Sequence, residues 1–171
     1  MADRQQPIKT LFLVISDMHG LKKLARDTLN HSVDVVILCG DLSTDSEFEE
    51  YKASISFLRT INAPLKIAIA GNHDFTMDIA TFRRKVAYVK PPLNPSLVQQ
   101  VYGYGGEARN LFDRQAGNTF LNEGTHEFQL GNSAILRVYA GPYTPSQVDW
   151  GFQYHTGQGH DLIRTQLPSE I

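Results

Sequence analysis

The stretch LKIAIAGNHDF, Leu65 to Phe75, decides the fold. Its first six residues form an apolar run of strand length, and Gly71 ends that run at a turn. An amide, an imidazole and a carboxylate then follow in succession, Asn72-His73-Asp74. A turn does not require so dense a group of ligand and proton-transfer side chains. An apolar strand that delivers polar groups from its carboxyl end is the unit of a parallel α/β sheet, in which ligands bind beyond those ends.

The same pattern occurs twice upstream. TLFLVIS (10–16) runs into Asp17-Met18-His19, and VDVVILCG (33–40) runs into Asp41. Between them, GLKKLARDTLNH (20–31) sets Leu21, Leu24, Ala25, Thr28 and Leu29 at helical spacing. After the second strand, Asp45 or Ser46 can cap a helix through EFEEYKASISFLRTI, whose stripe is Phe48, Tyr51, Ile55 and Leu58. Strand, helix, strand, helix, strand predicts an α/β fold, with a parallel sheet covered on both faces and right-handed crossovers. Farther on, MDIATFRRKVAYV reads as a helix ended by Pro91-Pro92, 91–110 as a long loop or lid, and 125–143 as a hairpin turning at Gly131-Asn132. No repeat or linker divides the chain, so residues 1–171 read as one domain.

Composition bounds the function. With 42% apolar and 20% charged residues the chain is globular, and a net charge of −2 argues against nonspecific nucleic-acid or anionic-membrane partners. The longest apolar run, Leu11 to Ile15, is too short to span a bilayer, and the N-terminus is polar. One cysteine, Cys39, forms no internal disulfide and fits a reducing compartment, so a cytoplasmic location is expected.

Asp17 to Asp41 is 24 residues and Asp41 to Asn72 is 31, close to one strand-helix-strand crossover each. Adjacent strands would bring Asp17, His19, Asp41 and Asn72 to one rim as metal ligands. Asp17 and His19, two apart in an extended segment, would point the same way, and Gly40 and Gly71 would permit sharp turns. Mixed oxygen and imidazole donors suit Mn²⁺, Fe or Zn²⁺ better than Ca²⁺. With Asp41 in the middle, its carboxylate can bridge two divalent ions about 3.5–4 Å apart, as phosphoryl displacement uses them. Asn72 and His73 would then meet the phosphate, His73 as acid beside the leaving oxygen and Asp74 orienting its ring.

DMHG, GDL and GNHD resemble the first three motifs of the calcineurin-like metallophosphoesterase superfamily, and YAGPYTP and WGFQY resemble its small stand-alone branch of class III cyclic-nucleotide-phosphodiesterase-like proteins. The resemblance implies a four-layer α/β/β/α fold, two divalent metal ions, and a small phosphoester substrate, with nucleotides among the candidates. It also implies two further motifs, a strand ending in a histidine and G-H-x-H, which would follow WGFQY; the chain reaches Ile171 without them. A C-terminally incomplete domain, with weakened metal affinity, impaired activity and an exposed sheet edge, is the expectation that follows.

Plainer roles suit the other chemistry-bearing residues. Cys39 reads as a small buried hydrophobe, GYGG (103–106) as flexible loop, and Arg83-Arg84-Lys85 as a solvated helix face. His31, His126, His155 and His160 read as surface or loop residues, and Trp150, Phe152 and Tyr154 as packing under the site. A non-catalytic metal- or nucleotide-binding relative is the competing function. A nucleotide-dependent oxidoreductase is disfavoured, because the turn after strand one is SDMHG rather than a glycine-rich dinucleotide loop.

Overall fold

Three successive apolar runs pair side by side in the computed structural model, which describes residues 7–20, 32–113, 118–146, 148–157 and 159–160. They are β1 (Phe12–Ile15), β2 (Val35–Cys39) and β3 (Leu65–Ile69), and a short β4 (Asn118–Phe120) continues the sheet. All four are parallel in the order β1-β2-β3-β4, with Val14 opposite Ile37 and Ile37 opposite Ile67. β2 therefore lies between β1 and β3. The helix expected over 20–31 falls almost wholly outside the described residues.

Alternation along β2 and β3 separates two apolar layers. Val36, Leu38 and Ala68 pack on one face against Tyr51, Ile55 and Leu58 of helix α1 (Phe48–Thr60) and Phe112 of helix α4 (Glu107–Asp113). Val35 and Ile67 pack on the other face against Leu130 and Ala140. Those two belong to the hairpin of β5 (Gly124–Gln129) and β6 (Ile135–Ala140), whose turn holds Gly131 and Asn132 as expected. Among the described residues the second face is thus covered by strands, giving helix, sheet and sheet in succession. β1 is an edge strand and leaves Phe12 and Val14 exposed.

The cap of α1 lies at Glu47 rather than Asp45 or Ser46. The Glu50 carboxylate explains the shift, accepting from the backbone N–H groups of Thr44, Asp45 and Glu47 at 2.8, 3.1 and 3.0 Å. Helix α2 (Ile79–Tyr88) is capped by Asp78, which accepts from the Thr81 N–H.

The expected loop over 91–110 is instead largely helical. Asn94 caps helix α3 (Pro95–Tyr102), with proline at its first position, and α4 begins at Glu107. Helix α3 buries none of its residues, although Leu97, Val98, Val101 and Tyr102 recur at helical spacing. A two-residue parallel ladder, β7 (Thr144–Pro145) with β8 (Gln153–Tyr154), closes the described chain beside α2. No helix among the described residues is long and apolar enough to cross a membrane.

Candidate metal centre

The three loops that leave β1, β2 and β3 meet at one rim. His19 Nε2 lies 4.0 Å from Asp17 Oδ1 and 4.0 Å from Asp41 Oδ2. Ligand atoms of His19, Asp41 and His73 all fall within 4.8 Å of one another. The central position of β2 explains why Asp41 is shared. Its Oδ2 faces the β1 loop, and its Oδ1 accepts from the His73 N–H at 2.9 Å. Asp41 is nearly buried at 9% exposure, whereas the Asp17 side chain is 65% exposed.

The convergence of Asp17 and His19 does not come from an extended segment. Both residues, and Asp41 as well, take left-handed backbone angles, with φ of 53°, 43° and 48°. Such angles are disfavoured for side chains with a Cβ and cost on the order of 1–3 kcal/mol each. Their concentration in the residues that face one another is what a functional constraint on the backbone would produce.

Both imidazoles are held by carbonyl oxygens. His19 Nδ1 lies 3.3 Å from the Ser43 carbonyl, and His73 Nδ1 lies 2.7 Å from the Thr44 carbonyl. A carbonyl can only accept, so each Nδ1 carries a proton and Nε2 is the ring atom left to meet a cation. This is the state in which histidine binds a cation, with its other nitrogen anchored. The rings meet edge to face with centroids 4.6 Å apart, and Trp150 stacks on His73 at 4.2 Å and 29°.

Asp74 does something other than orient His73. It is fully buried, and each oxygen takes two donors: Oδ2 accepts from the Leu42 and Gly71 N–H groups, and Oδ1 from the Ser43 N–H and hydroxyl. Asp74 thus ties the β2 loop to the β3 loop, while the Thr44 carbonyl holds the His73 ring. Burial pushes its carboxyl up to about 6, hydrogen bonds from Ser43, Gly71 and Leu42 oppose the rise, and nearby Asp41 adds to it.

Asn72 lies on the same loop, and its backbone carbonyl accepts from the Gly151 N–H at 3.0 Å. His126 bonds the Asn122 carbonyl, and His160 pairs with Glu123 between Tyr143 and Tyr154, so neither belongs to this cluster. Sequence reasoning missed the anchoring carbonyls of Ser43 and Thr44, because a backbone oxygen carries no side-chain signature. The stack of Trp150 on His73 agrees with the reading of Trp150 as packing under the site.

Gly71 is needed for closeness rather than for its dihedrals. A Cβ there would lie 3.0 Å from Asp41 Cγ and overlap Asp41 Oδ1 and N outright. Gly71→Ala is expected to displace the Asp41 carboxylate and cost roughly 1–3 kcal/mol of stability. Urea denaturation and a Mn²⁺ titration check the two effects separately.

The donor set fits a divalent cation. Two atoms bonded to one ion at about 2.1 Å lie no farther apart than about 4.2 Å. The two 4.0 Å pairs satisfy that limit as they stand.

Comparison with known proteins agrees with the site. A curated protein of Emericella nidulans named "Probable rhamnogalacturonate lyase C" is 26% identical over 140 residues, covering 82% of this chain and 11% of that protein. The chain therefore spans about a tenth of that relative's length. The model of the calcineurin-like phosphoesterases matches residues 10–158, which include all three strand-end loops, and the chain belongs to that family.

Proposed function

We propose that the protein hydrolyses a phosphoester, with Asp17, His19, Asp41 and Asn72 holding two divalent cations (Mn, Fe or Zn) and His73 serving as the acid. The observation that carries this reading is the meeting of the three strand-end loops around Asp41, with His19 Nε2 4.0 Å from both the Asp17 and Asp41 carboxylates and His73 held beside them by the Thr44 carbonyl. Bound at this rim, the ions would acidify a water and offset negative charge on the phosphoryl oxygens.

The chain's own groups divide the remaining work. Asp41, between the two loops, supplies the negative charge that draws cations to the rim. His73, once protonated at Nε2, would donate to the departing oxygen, because Nδ1 stays committed to the Thr44 carbonyl. Asp74 is a positioning residue that fixes the spacing of the two loops. The lyase name of the Emericella nidulans protein describes a chain of which this one matches a small part, and it does not alter this reading.

Release of p-nitrophenol from bis(p-nitrophenyl) phosphate is expected with Mn²⁺, lost with EDTA and restored by excess metal. Cation binding without turnover of any phosphoester would favour the non-catalytic reading.

A further inference from the structure

A cavity of about 390 Å³ opens between helix α2 and the segment from Ser146 to His155, and Trp150 is one of its walls. The same indole stacks on His73, so one ring separates the cavity from the proposed acid. The lining mixes two kinds of surface. Trp150, Val148 and Tyr154 are aromatic or apolar, while Thr81, Arg84 and His155 are hydrogen-bonding groups and Asp149 adds a carboxylate paired with Arg84.

The cavity walls are fixed to the metal centre. The Gly151 N–H donates to the Asn72 carbonyl at 3.0 Å, and a Cβ at Gly151 would lie 2.7 Å from Phe75 Cα. At Gly151 there is no room for a side chain against the loop that carries His73. On the far side, the Asp78 carboxylate caps α2 and accepts from the Phe152 N–H at 3.0 Å. Arg84 and Lys85 of α2 both pair with Asp149, and the Lys85 ammonium lies 5.6 Å from the centre of the Trp150 ring. Two cations here face the Asp149 and Asp78 carboxylates, so the charges around the cavity are balanced.

We infer that this cavity is the subsite for the organic arm of the substrate, and that it selects a planar aromatic alcohol through Trp150 and Tyr154. This rests on the phosphoesterase reading. A flat ring fits against aromatic walls and gains stacking energy, whereas an alkyl arm leaves most of the cavity to water. The hydrogen-bonding groups would set the ring's orientation.

The test compares bis(p-nitrophenyl) phosphate with methyl p-nitrophenyl phosphate on the Mn²⁺-loaded protein. The aryl ester is expected to show a KM roughly tenfold lower, from one stacked ring. Val148→Phe, which crowds the cavity, and Tyr154→Leu, which removes an aromatic wall, are each expected to bring the ratio of kcat/KM between the two esters toward one. Equal KM values in the unaltered protein, or a ratio that neither variant changes, would overturn the subsite. Trp150 is the only tryptophan of the chain, so its fluorescence reports on the cavity independently of turnover. If neither ester is hydrolysed, the phosphoesterase reading fails and the fluorescence decides the subsite by itself. A saturable change with phenylphosphonate but not with methylphosphonate supports it, and no difference between the two overturns it.

Discussion

Asp41→Asn is expected to remove Mn²⁺ binding and phosphoesterase activity while leaving the fold intact. Asparagine keeps the shape of the side chain and an oxygen that can accept from the His73 N–H, now 2.9 Å from Asp41 Oδ1. What it removes is the negative charge, together with the second carboxylate oxygen facing His19 Nε2 at 4.0 Å. Changes in groups that merely support metal ligands cost about 10–100-fold in affinity or activity. Loss of the carboxylate shared by two loops should exceed that range. Stability should fall by no more than about 1 kcal/mol, the net worth of one hydrogen bond. A calorimetric Mn²⁺ titration, the nitrophenyl ester assay and urea denaturation give the three readings. Full Mn²⁺ affinity in a folded Asp41→Asn protein would remove Asp41 from the site.

Asp74→Ala is expected to have the largest effect on stability. It strands four donors at once: the buried N–H groups of Leu42 and Ser43, the buried Ser43 hydroxyl, and the part-buried N–H of Gly71. Leaving a buried donor unpaired costs about 1–3 kcal/mol. Even with relaxation, a total above about 4 kcal/mol would consume much of the 5–15 kcal/mol of a typical domain. Asp74→Asn should be nearly as harmful. Each carboxylate oxygen accepts twice, so an amide NH₂ at either place would face two donors. Thermal denaturation of both variants provides the comparison. An Asn variant as stable as the original would show that the four donors do not need a carboxylate.

The part of the site legible in the sequence is the part that follows from strand order. Asp17, His19, Asp41 and His73 stand just beyond three consecutive apolar runs, and parallel pairing in sequential order leaves their loops adjacent. The β5–β6 hairpin was readable because its turn carries Gly131-Asn132 and its strands alternate. Other features depend on contacts that no local pattern encodes. The Thr44 carbonyl, not Asp74, holds His73, and Thr44 comes from a loop 29 residues earlier in the chain. Trp150 reaches His73 from the far end of the described chain through the backbone bond of Gly151 to Asn72. Asp and His enter the left-handed region more readily than most side chains, but that three such positions face one another at Asp17, His19 and Asp41 follows from how the loops meet, which no local pattern encodes. Helix α3 escaped notice for the opposite reason, since it has good caps but no buried face.

The account stands or falls on whether the rim takes up a cation, and anomalous scattering from Mn²⁺-soaked crystals measures that directly. Density is expected within about 2.2 Å of His19 Nε2 and an Asp41 carboxylate oxygen. A Mn²⁺ signal elsewhere on the molecule, with none between the β1, β2 and β3 loops, would contradict it.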